Sequence, residues 1–229
     1  MKRVVFVMGP PGSGKGTQAE LVSEKFSLFH FDSGRILEDI FYFSGEIDDP
    51  EIKKEKELFD AGKLVSPAFI LKKFKERVAE LDAMDMGIAF SGSPRTEYEA
   101  FGTEGGEGLV DELEVRYGKD NITVCLLEVP EEVSVQRNSN RMLCSVCGSP
   151  ILNIEGVTVT RCPFCAGELR KRVLDNPETM KTRLREYHER TEPVLKGLEA
   201  RGYKINRING SKLPFEVFEQ IKEVMGDRL

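Results

Sequence analysis

Short runs rich in apolar residues recur along the chain, and longer stretches with helical periodicity separate them. The runs cover residues 4–8, 87–91, 122–129 and 203–208. An apolar run without alternation predicts a strand that is buried on both faces, as in a parallel sheet. Strands that alternate with helices predict one parallel sheet with helices packed on both sides. We therefore expect an α/β fold of three layers.

The helices are predicted from apolar spacing and from end signals. Ala19, Val22 and Phe26 share one face of a helix that follows the first strand. Another helix begins near residues 175–178, where Asp and Asn can cap the first turn, Pro occupies it and Glu lies at its positive end. Residues 214–225 have the pattern of a last amphipathic helix. These elements extend the alternation into the last part of the sequence.

Two segments interrupt this alternation. Residues 33–65 are charged and helical in pattern, whereas residues 138–175 have little helical signal and hold four of the five Cys. We expect both to be insertions that fold over the edge of the sheet. The core domain would then comprise residues 1–32, 66–137 and 176–229.

Composition and charge exclude several classes of protein. With 40% apolar residues, a chain of 229 residues can bury the core of one large or two modest domains. A net charge of -6 argues against nucleic acid as the main partner. No apolar run is long enough to span a membrane, and the run before Gly9 is too short for a signal peptide. We therefore expect a cytoplasmic protein that binds no membrane, in which Cys residues are metal ligands or buried thiols.

Gly9 and the pair Gly14-Lys15 enclose four residues between the first predicted strand and the first predicted helix, in the sequence GPPGSGKGT. This spacing in this context is typical of a phosphate-binding loop. Glycine lets successive backbone N–H groups point at phosphate oxygens, and the helix N-terminus and Lys15 add positive charge. A glycine-rich turn without a ligand is the alternative. The candidate phosphate-binding residues are Gly12, Ser13, Gly14, Lys15, Gly16 and Thr17.

Cys144 and Cys147 form one C-x2-C pair, and Cys162 and Cys165 form a second, with 14 residues between the pairs. Two such pairs predict a tetrahedral zinc site of four thiolates, which has no open position and is therefore structural. Iron is the alternative metal for four thiolates, whereas a redox role fits two pairs poorly. Cys125 lies in the middle of a predicted strand and is expected to be a core residue.

The sequence GPPGSGKGT at residues 9–17 resembles the phosphate loop of the nucleoside monophosphate kinases, and of the adenylate kinases in particular. Further motifs similar to those of that family follow in the same order along nearly the whole chain. They are FDSGRIL at residues 31–37, DAGKLV at 60–65, GSPRT at 92–96, EVP at 128–130 with Arg137 and Arg141, DNPET at 175–179 with Arg183 and Tyr187, and NGSK at 209–212. By this resemblance, residues 33–65 are a monophosphate-binding domain and residues 138–175 are a zinc-bearing lid.

The resemblance implies transfer of the terminal phosphate of ATP to a nucleoside monophosphate, with AMP as the expected acceptor, Mg²⁺ as a cofactor and a structural Zn²⁺. It also implies nucleotide substrates and a monomer. Arginine suits phosphoryl transfer because its planar fork binds phosphate in bidentate fashion and stays charged. The catalytic residues that the resemblance implies are Lys15, Arg95, Arg141, Arg172 and Arg183.

The resemblance further implies two nucleotide sites. On the ATP side it assigns Gly12, Ser13, Gly14, Lys15, Gly16, Thr17, Arg137, Arg141 and Lys212. On the monophosphate side it assigns Ser33, Gly34, Arg35, Glu38, Lys63, Leu64, Val65, Gly92, Arg95, Glu99, Arg172 and Arg183. A lid that closes over both sites would exclude water, which would otherwise accept the phosphoryl group.

Several positions depart from the family's pattern. The family has an Asp that helps to organise hydrated magnesium where this chain has Ser91, and a Phe where it has Ser93. Arg35 and Glu38 stand where the family has an Asp and an Arg, so we expect Arg35 to take over phosphate binding. One of the two Asp residues that follow the lid Arg is Leu174 here.

Glu99 replaces the Gln that is typical of adenylate-specific members. A carboxylate only accepts hydrogen bonds, which suits the N1–H and N2–H₂ groups of guanine better than adenine N1. GMP or a relaxed base preference is therefore an alternative to AMP. Two other classes stay open, namely a non-catalytic zinc-ribbon module on a degenerate kinase scaffold and a kinase for a small non-nucleotide acceptor.

Overall fold

The computed structural model describes residues 2–43, 48–103, 106–151, 159–171 and 177–226, with the side chains of 177 and 178 excepted. The strands are β1 (Val4–Met8), β2 (Leu28–Asp32), β3 (Gly87–Ser91), β4 (Gly102–Thr103), β5 (Gly106–Glu107), β6 (Ile122–Glu128), β7 (Met142–Cys144), β8 (Pro150–Ile151), β9 (Leu169–Lys171) and β10 (Ile205–Asn209). The helices are α1 (Lys15–Phe26), α2 (Ser33–Tyr42), α3 (Pro50–Asp60), α4 (Pro67–Ala83), α5 (Glu97–Phe101), α6 (Leu109–Tyr117), α7 (Glu131–Ser139), α8 (Pro177–Glu186), α9 (Glu192–Ala200) and α10 (Pro214–Met225). A 3₁₀ turn spans Lys119–Asn121, and a π-helical turn spans Tyr187–Thr191.

A five-stranded parallel sheet in the order β10-β6-β1-β3-β2 forms the centre of the fold. β1 lies in the middle, where Val5 is the register partner of Ala89 on one side and of Thr123 on the other. All five residues of β1 are buried, as expected for a strand covered on both faces. All five strands run in the same direction, so their carboxyl ends meet at one edge of the sheet. The predicted α/β fold with a central parallel sheet is confirmed.

Helices cover both faces of the sheet. On one face, α1 and α10 pack Ala19, Val22 and Ile221 against the strands. On the other face, α4, α6 and α9 contribute to a larger apolar cluster that contains stacked Phe6 and Phe90, whose ring centroids are 5.1 Å apart. The three layers follow from this arrangement, because each of these helices buries one apolar stripe against a face of the sheet.

The edge strand β2 was not predicted from the sequence. Its residues mix apolar and polar side chains, and only Phe31 among them is fully buried. His30 and Asp32 interrupt the apolar run because an edge strand has one neighbour and stays partly accessible. β10 was predicted, but it lies one to two residues later than the apolar run 203–208.

The two segments that interrupt the alternation differ in structure. The first contains α2 and α3, and Asp49 and Pro50 begin α3 with a side-chain cap and a ring at the first helical position. The described part of the second contains β7, β8 and β9, which form a small antiparallel sheet in the order β8-β7-β9. The domain boundaries given above stay predictions. None of the helices in the described ranges is both long and apolar enough to cross a membrane.

Candidate active site

The loop between β1 and α1 lies at the carboxyl edge of the sheet. Its backbone has positive φ at Gly12 (81°) and Gly14 (91°), a conformation that side chains disfavour. A Cβ at Gly12 would also collide with the Asn138 side chain of α7, so the loop can pack closely against that helix only when residue 12 is glycine. Lys15 begins α1, and its Nζ donates a hydrogen bond of 3.0 Å to the Pro10 carbonyl. The loop therefore presents backbone N–H groups, a helix N-terminus and an ammonium group together.

Lys15 is surrounded by other positive groups. Burial, and then the charges of Arg95, Arg183 and Arg141, hold the pKa of Lys15 well below its usual range. The carboxylate of Asp32 acts in the opposite direction. Three arginines from separate parts of the chain thus converge on one lysine, which is unfavourable for the protein alone. A polyanion bound in their midst would stabilise all four charges.

Gly92, directly after β3, marks the point where three of the candidate residues meet. A Cβ on Gly92 would lie 3.1 Å from Arg95 Nη2, 3.5 Å from Lys15 Cε and 3.5 Å from Ser33 Oγ. Its φ of 82° also disfavours a side chain. The absence of a Cβ leaves the space in which the two cations and the hydroxyl face each other.

Arg95 is fixed at both its backbone and its side chain. Its N–H donates to Glu99 Oε2 at 2.8 Å, and its carbonyl accepts from Thr191 Oγ1 at 3.0 Å. Its guanidinium donates to the Gly92 carbonyl and to Ser33 Oγ, the latter at 3.4 Å. Thr191 ends the π-helical turn between α8 and α9, so the position of Arg95 depends on that turn.

A cleft of about 1420 Å³ opens above these residues. Nearly all the candidate residues that are described line it. They are Gly12, Ser13, Gly14, Lys15, Gly16, Thr17, Gly34, Arg35, Glu38, Lys63, Leu64, Gly92, Arg95, Arg137, Arg141, Arg183 and Lys212. A second, small cavity of about 20 Å³ shares Lys63, Leu64 and Arg95 with the cleft and is also lined by Ser33, Val65 and Glu99. Arg172 and Leu174 lie outside the described residues.

The four cysteines of the two C-x2-C pairs come together beside β7. Their Sγ atoms all lie within 4.8 Å of one another. Backbone N–H groups of the first pair point at sulfur, as in the 3.3 Å contact from Val146 N to Cys144 Sγ. Four thiolates at this spacing suit a tetrahedral soft metal such as zinc. Cys125 is buried in β6, as predicted, and burial raises the pKa of its thiol to about 12.

Comparison with known proteins supports these observations. A family model described as adenylate kinase matches residues 7–203. An adenylate kinase of Clostridium tetani (strain Massachusetts / E88) is 33% identical over 224 residues, which cover 97% of this chain and 98% of the relative. An adenylate kinase of Clostridium botulinum (strain Loch Maree / Type A3) is 34% identical over 228 residues, with the same coverage of 97% and 98%. One of Caldicellulosiruptor bescii is 35% identical over 204 residues, covering 86% of this chain and 87% of the relative.

The chain belongs to the adenylate kinase family. It is therefore a nucleoside monophosphate kinase, and the resemblance stated from its motifs is confirmed.

In this adenylate kinase family member, Arg137 contacts the turn after β10, and Lys212 is part of that turn. Arg137 Nη1 donates to the Gly210 carbonyl at 2.7 Å, and Nη2 donates to the Ser211 carbonyl at 3.0 Å. Burial lowers the pKa of Arg137 from its usual range. Arg137 thus joins α7 to the turn that carries Lys212, while it also lines the cleft.

Glu99 has a structural role that sequence reasoning on this family missed. Thr96 caps α5, its hydroxyl accepting from the Glu99 N–H at 3.1 Å and donating to Glu99 Oε1 at 3.2 Å. The spacing Thr96-x-x-Glu99 is the signal of a capping box, and it could have been found in the sequence. The Glu99 side chain is buried, and burial raises its pKa. Both carboxylate oxygens therefore already accept hydrogen bonds from the protein.

Ser91 was noted from the sequence only as a departure from the family's pattern, and its neighbours His30 and Asp32 were not singled out as site residues. Ser91, at the end of β3, lies 2.9 Å through its Oγ from His30 Nε2, and burial lowers the pKa of that imidazole. Asp32, at the end of β2, is the register partner of Ser91 and lines the cleft. The signal for Asp32 was its place before the helical pattern of residues 33–42, which is typical of an N-cap.

Proposed function

We propose that the chain transfers the terminal phosphate of ATP to AMP, which yields two molecules of ADP. The observation that carries this proposal is the convergence of Arg95, Arg141 and Arg183 on Lys15 above the phosphate loop. Phosphoryl transfer needs positioning and positive charge around three equatorial oxygens rather than a covalent nucleophile. The family to which the chain belongs and the names of its relatives support the same reaction.

The ATP side of the proposed site consists of the phosphate loop, the last turn of α7 with the residues just after it, and the turn after β10. Backbone N–H groups of residues 12–17 would hold the β- and γ-phosphates, and Lys15 would add its point charge. Arg137, Arg141 and Lys212 also line the cleft and would bind the same nucleotide. Mg²⁺ bound with ATP would supply further positive charge that offsets the charge developing on the phosphates.

The monophosphate side is proposed to lie around the end of β3 and the segment 33–65. Arg95, held at its backbone by Glu99 and Thr191, would bind the acceptor phosphate together with Ser33 and Arg35. The remaining residues of this proposed site are Gly34, Glu38, Lys63, Leu64, Val65, Gly92, Arg172 and Arg183.

The acceptor base is proposed to lie near the small cavity that Glu99 lines. Both oxygens of Glu99 accept hydrogen bonds from Arg95 and Thr96, so the carboxylate contributes to the site through the position of Arg95. GMP is therefore less favoured as the acceptor, because a carboxylate that already accepts two hydrogen bonds has less capacity to accept from guanine N1–H and N2–H₂. AMP is therefore the acceptor that we propose.

We propose that the chain has three parts: a core of residues 1–32, 66–137 and 176–229, a monophosphate-binding insertion of residues 33–65, and a lid of residues 138–175. We propose that the four cysteines bind a structural Zn²⁺ in this lid. A closed lid would bring Arg141 and Arg172 over the transferring phosphate and exclude water. We also propose a monomer, by analogy of fold alone, and a cytoplasmic location, where thiols stay reduced for metal binding.

The decisive experiment compares AMP, GMP, CMP and UMP as acceptors of phosphate from ATP-Mg, with ADP formation measured in a coupled assay. We expect AMP to have the highest kcat/KM and Lys15→Met to lose at least about 100-fold of it, because the point charge on the phosphates is removed. Equal or better turnover of GMP would contradict the proposed acceptor. A wild-type chain that forms no ADP with any monophosphate would support the non-catalytic alternative.

A further inference from the structure

Carboxylates end two of the five parallel strands, and they differ in where they point. Glu128, at the end of β6, forms an ion pair of 2.7 Å with Arg207. Asp32, at the end of the edge strand β2, lines the cleft instead. Because the phosphate loop follows β1 at the same edge of the sheet, Asp32 is the strand-end carboxylate that faces the phosphate-binding region.

The side chain of Asp32 leaves one oxygen available for a ligand. Its Oδ1 accepts from the N–H groups of Gly34 at 2.9 Å and Arg35 at 3.2 Å, which caps α2. Within the part of the chain that the structure describes, both of its hydrogen bonds go to Oδ1. Its charge also acts on Lys15, against the effect of the surrounding arginines. Asp32 and Lys15 line the same cleft, so the second oxygen of Asp32 faces the region in which the phosphates would bind.

The residues here fit hydrated magnesium. Mg²⁺ keeps several waters and is held by substrate phosphates together with one or two carboxylates, which accept hydrogen bonds from those waters or bind directly. Ser91, the register partner of Asp32, is a hydroxyl that contacts His30, so β3 supplies no carboxylate at this position. β2 supplies one instead.

We infer that Asp32 is the carboxylate that positions the hydrated Mg²⁺ of ATP at the phosphate loop. This inference rests on the proposed function, because it needs ATP to bind there. It assigns to β2 a role that the family's pattern places at the end of β3, where this chain has Ser91. Asp32 would act on the waters of the ion, so it is a positioning residue for the phosphoryl transfer.

The competing role for Asp32 is the cap of α2 alone, and conservative variants separate the two roles. Asn and Ser cap helices about as well as Asp, so Asp32→Asn and Asp32→Ser keep a cap on α2 and remove the charge. Asp49→Asn is the matched control, because Asp49 caps α3 through a 2.7 Å bond from the Glu51 N–H and lies outside the cleft. Thermal unfolding would verify that all three variants are folded.

The test measures the Kd of ATP by calorimetry with excess Mg²⁺ and again in buffer without added Mg²⁺ or chelator, so that the proposed zinc site stays filled. For wild type and Asp49→Asn we expect the same preference for ATP-Mg over free ATP. For Asp32→Asn and Asp32→Ser we expect that preference to fall by about tenfold, the scale of losing an outer-shell partner of a metal. Free ATP should bind these two variants as tightly as wild type or more tightly, because a negative charge has been removed.

Two results would overturn the inference while leaving the proposed function intact. One is an unchanged preference for ATP-Mg in both Asp32 variants. The other is an equal loss of affinity for ATP-Mg and free ATP, which would indicate that Asp32 only shapes the loop. A wild-type chain that binds neither form of ATP would instead contradict the proposed function itself.

Discussion

Gly92 and Glu99 show how single residues shape a site through the side chains and backbone beside them. Gly92 leaves a space where Arg95, Lys15 and Ser33 approach one another. Glu99 uses a buried carboxylate to hold the backbone N–H of Arg95. The positions of these side chains must be precise, because reacting groups lose effectiveness steeply when they are displaced.

Gly92→Ala should lower kcat/KM by roughly 100-fold, because the new methyl group would press on the Arg95 guanidinium and on Lys15. Steady-state kinetics with ATP-Mg and AMP would measure this. Gly118→Ala is the control, since Gly118 has a similar φ of 80° but only Asn121 Nδ2, at 3.5 Å, near its Cβ position. If both variants lost activity equally, backbone strain rather than crowding at the site would be the cause.

Glu99→Ala should raise KM for AMP and GMP alike by about tenfold, because Arg95 loses a buried hydrogen-bond acceptor. Glu99→Gln should stay near wild type with AMP, since the amide oxygen can still accept from the Arg95 N–H. The measurement is KM for both monophosphates in the three proteins. A loss confined to one base would mean that Glu99 reads the base directly.

At the scale of elements, the connection between α8 and α9 links the proposed lid region to the core. It is a π-helical turn, a feature often found at functional sites. Thr191 of this turn donates to the Arg95 carbonyl. His188 of the same turn lies between Glu131 of α7 and Glu192 of α9, at 3.0 and 3.3 Å. The turn therefore couples the helices on either side of residues 138–175 to the position of Arg95.

His188 should make this connection sensitive to pH. Burial acts to lower the pKa of His188, but hydrogen bonds to Glu192 and Glu131 outweigh it, and the pKa is raised. A raised pKa in the folded state means a stabilising contribution that is complete below the pKa of an unfolded histidine, about 6.5, and is lost as pH rises through the folded value.

Chemical unfolding of wild type and His188→Gln at pH 6 and pH 9 would test this. We expect the free energy of unfolding to differ more at pH 6, by less than about 1 kcal/mol, because the side chains are partly exposed. Glu131→Gln should show the same trend. A difference that grows towards pH 9 would contradict the assignment.

At the scale of the whole molecule, the cleft draws its cations from segments far apart in sequence. Lys15 follows β1, Arg95 follows β3, and Arg183 lies on α8, yet all act on the same small region. A chain with a net charge of -6 can still bind polyanions, because its charge is unevenly placed. Net charge argues against broad nucleic-acid binding and says nothing of such a cleft.

The region around the four cysteines should depend on metal for its stability. Cys147→Ser and Cys165→Ser should each lose the one zinc ion per chain that we expect, because a structural site needs all four thiolates. Metal analysis of the purified protein and thermal unfolding would measure this. Cys125→Ala, at a thiol buried in the sheet, should keep the zinc. Iron in place of zinc would contradict the choice of metal.

The amino-acid sequence determined the parts of this protein that depend on local pattern. Unbroken apolar runs identified the buried strands β1, β3 and β6, and the spacing of glycine and Lys15 identified the phosphate loop. The two C-x2-C pairs likewise predicted that four thiols meet. Each of these features is encoded within a few residues of sequence, so no knowledge of distant contacts was needed.

Only the tertiary structure decided what depends on neighbours in space. The edge strand β2 escaped prediction because its half-buried, mixed sequence acquires meaning only beside β3. The place of Asp32 opposite Ser91 follows from that strand pairing. Glu99 could be compared with Gln from the sequence, but its bond to the Arg95 backbone depends on how the chain turns after β3. The charge around Lys15 likewise arises from side chains that folding brings together, which is why local pattern could name these residues but not their arrangement.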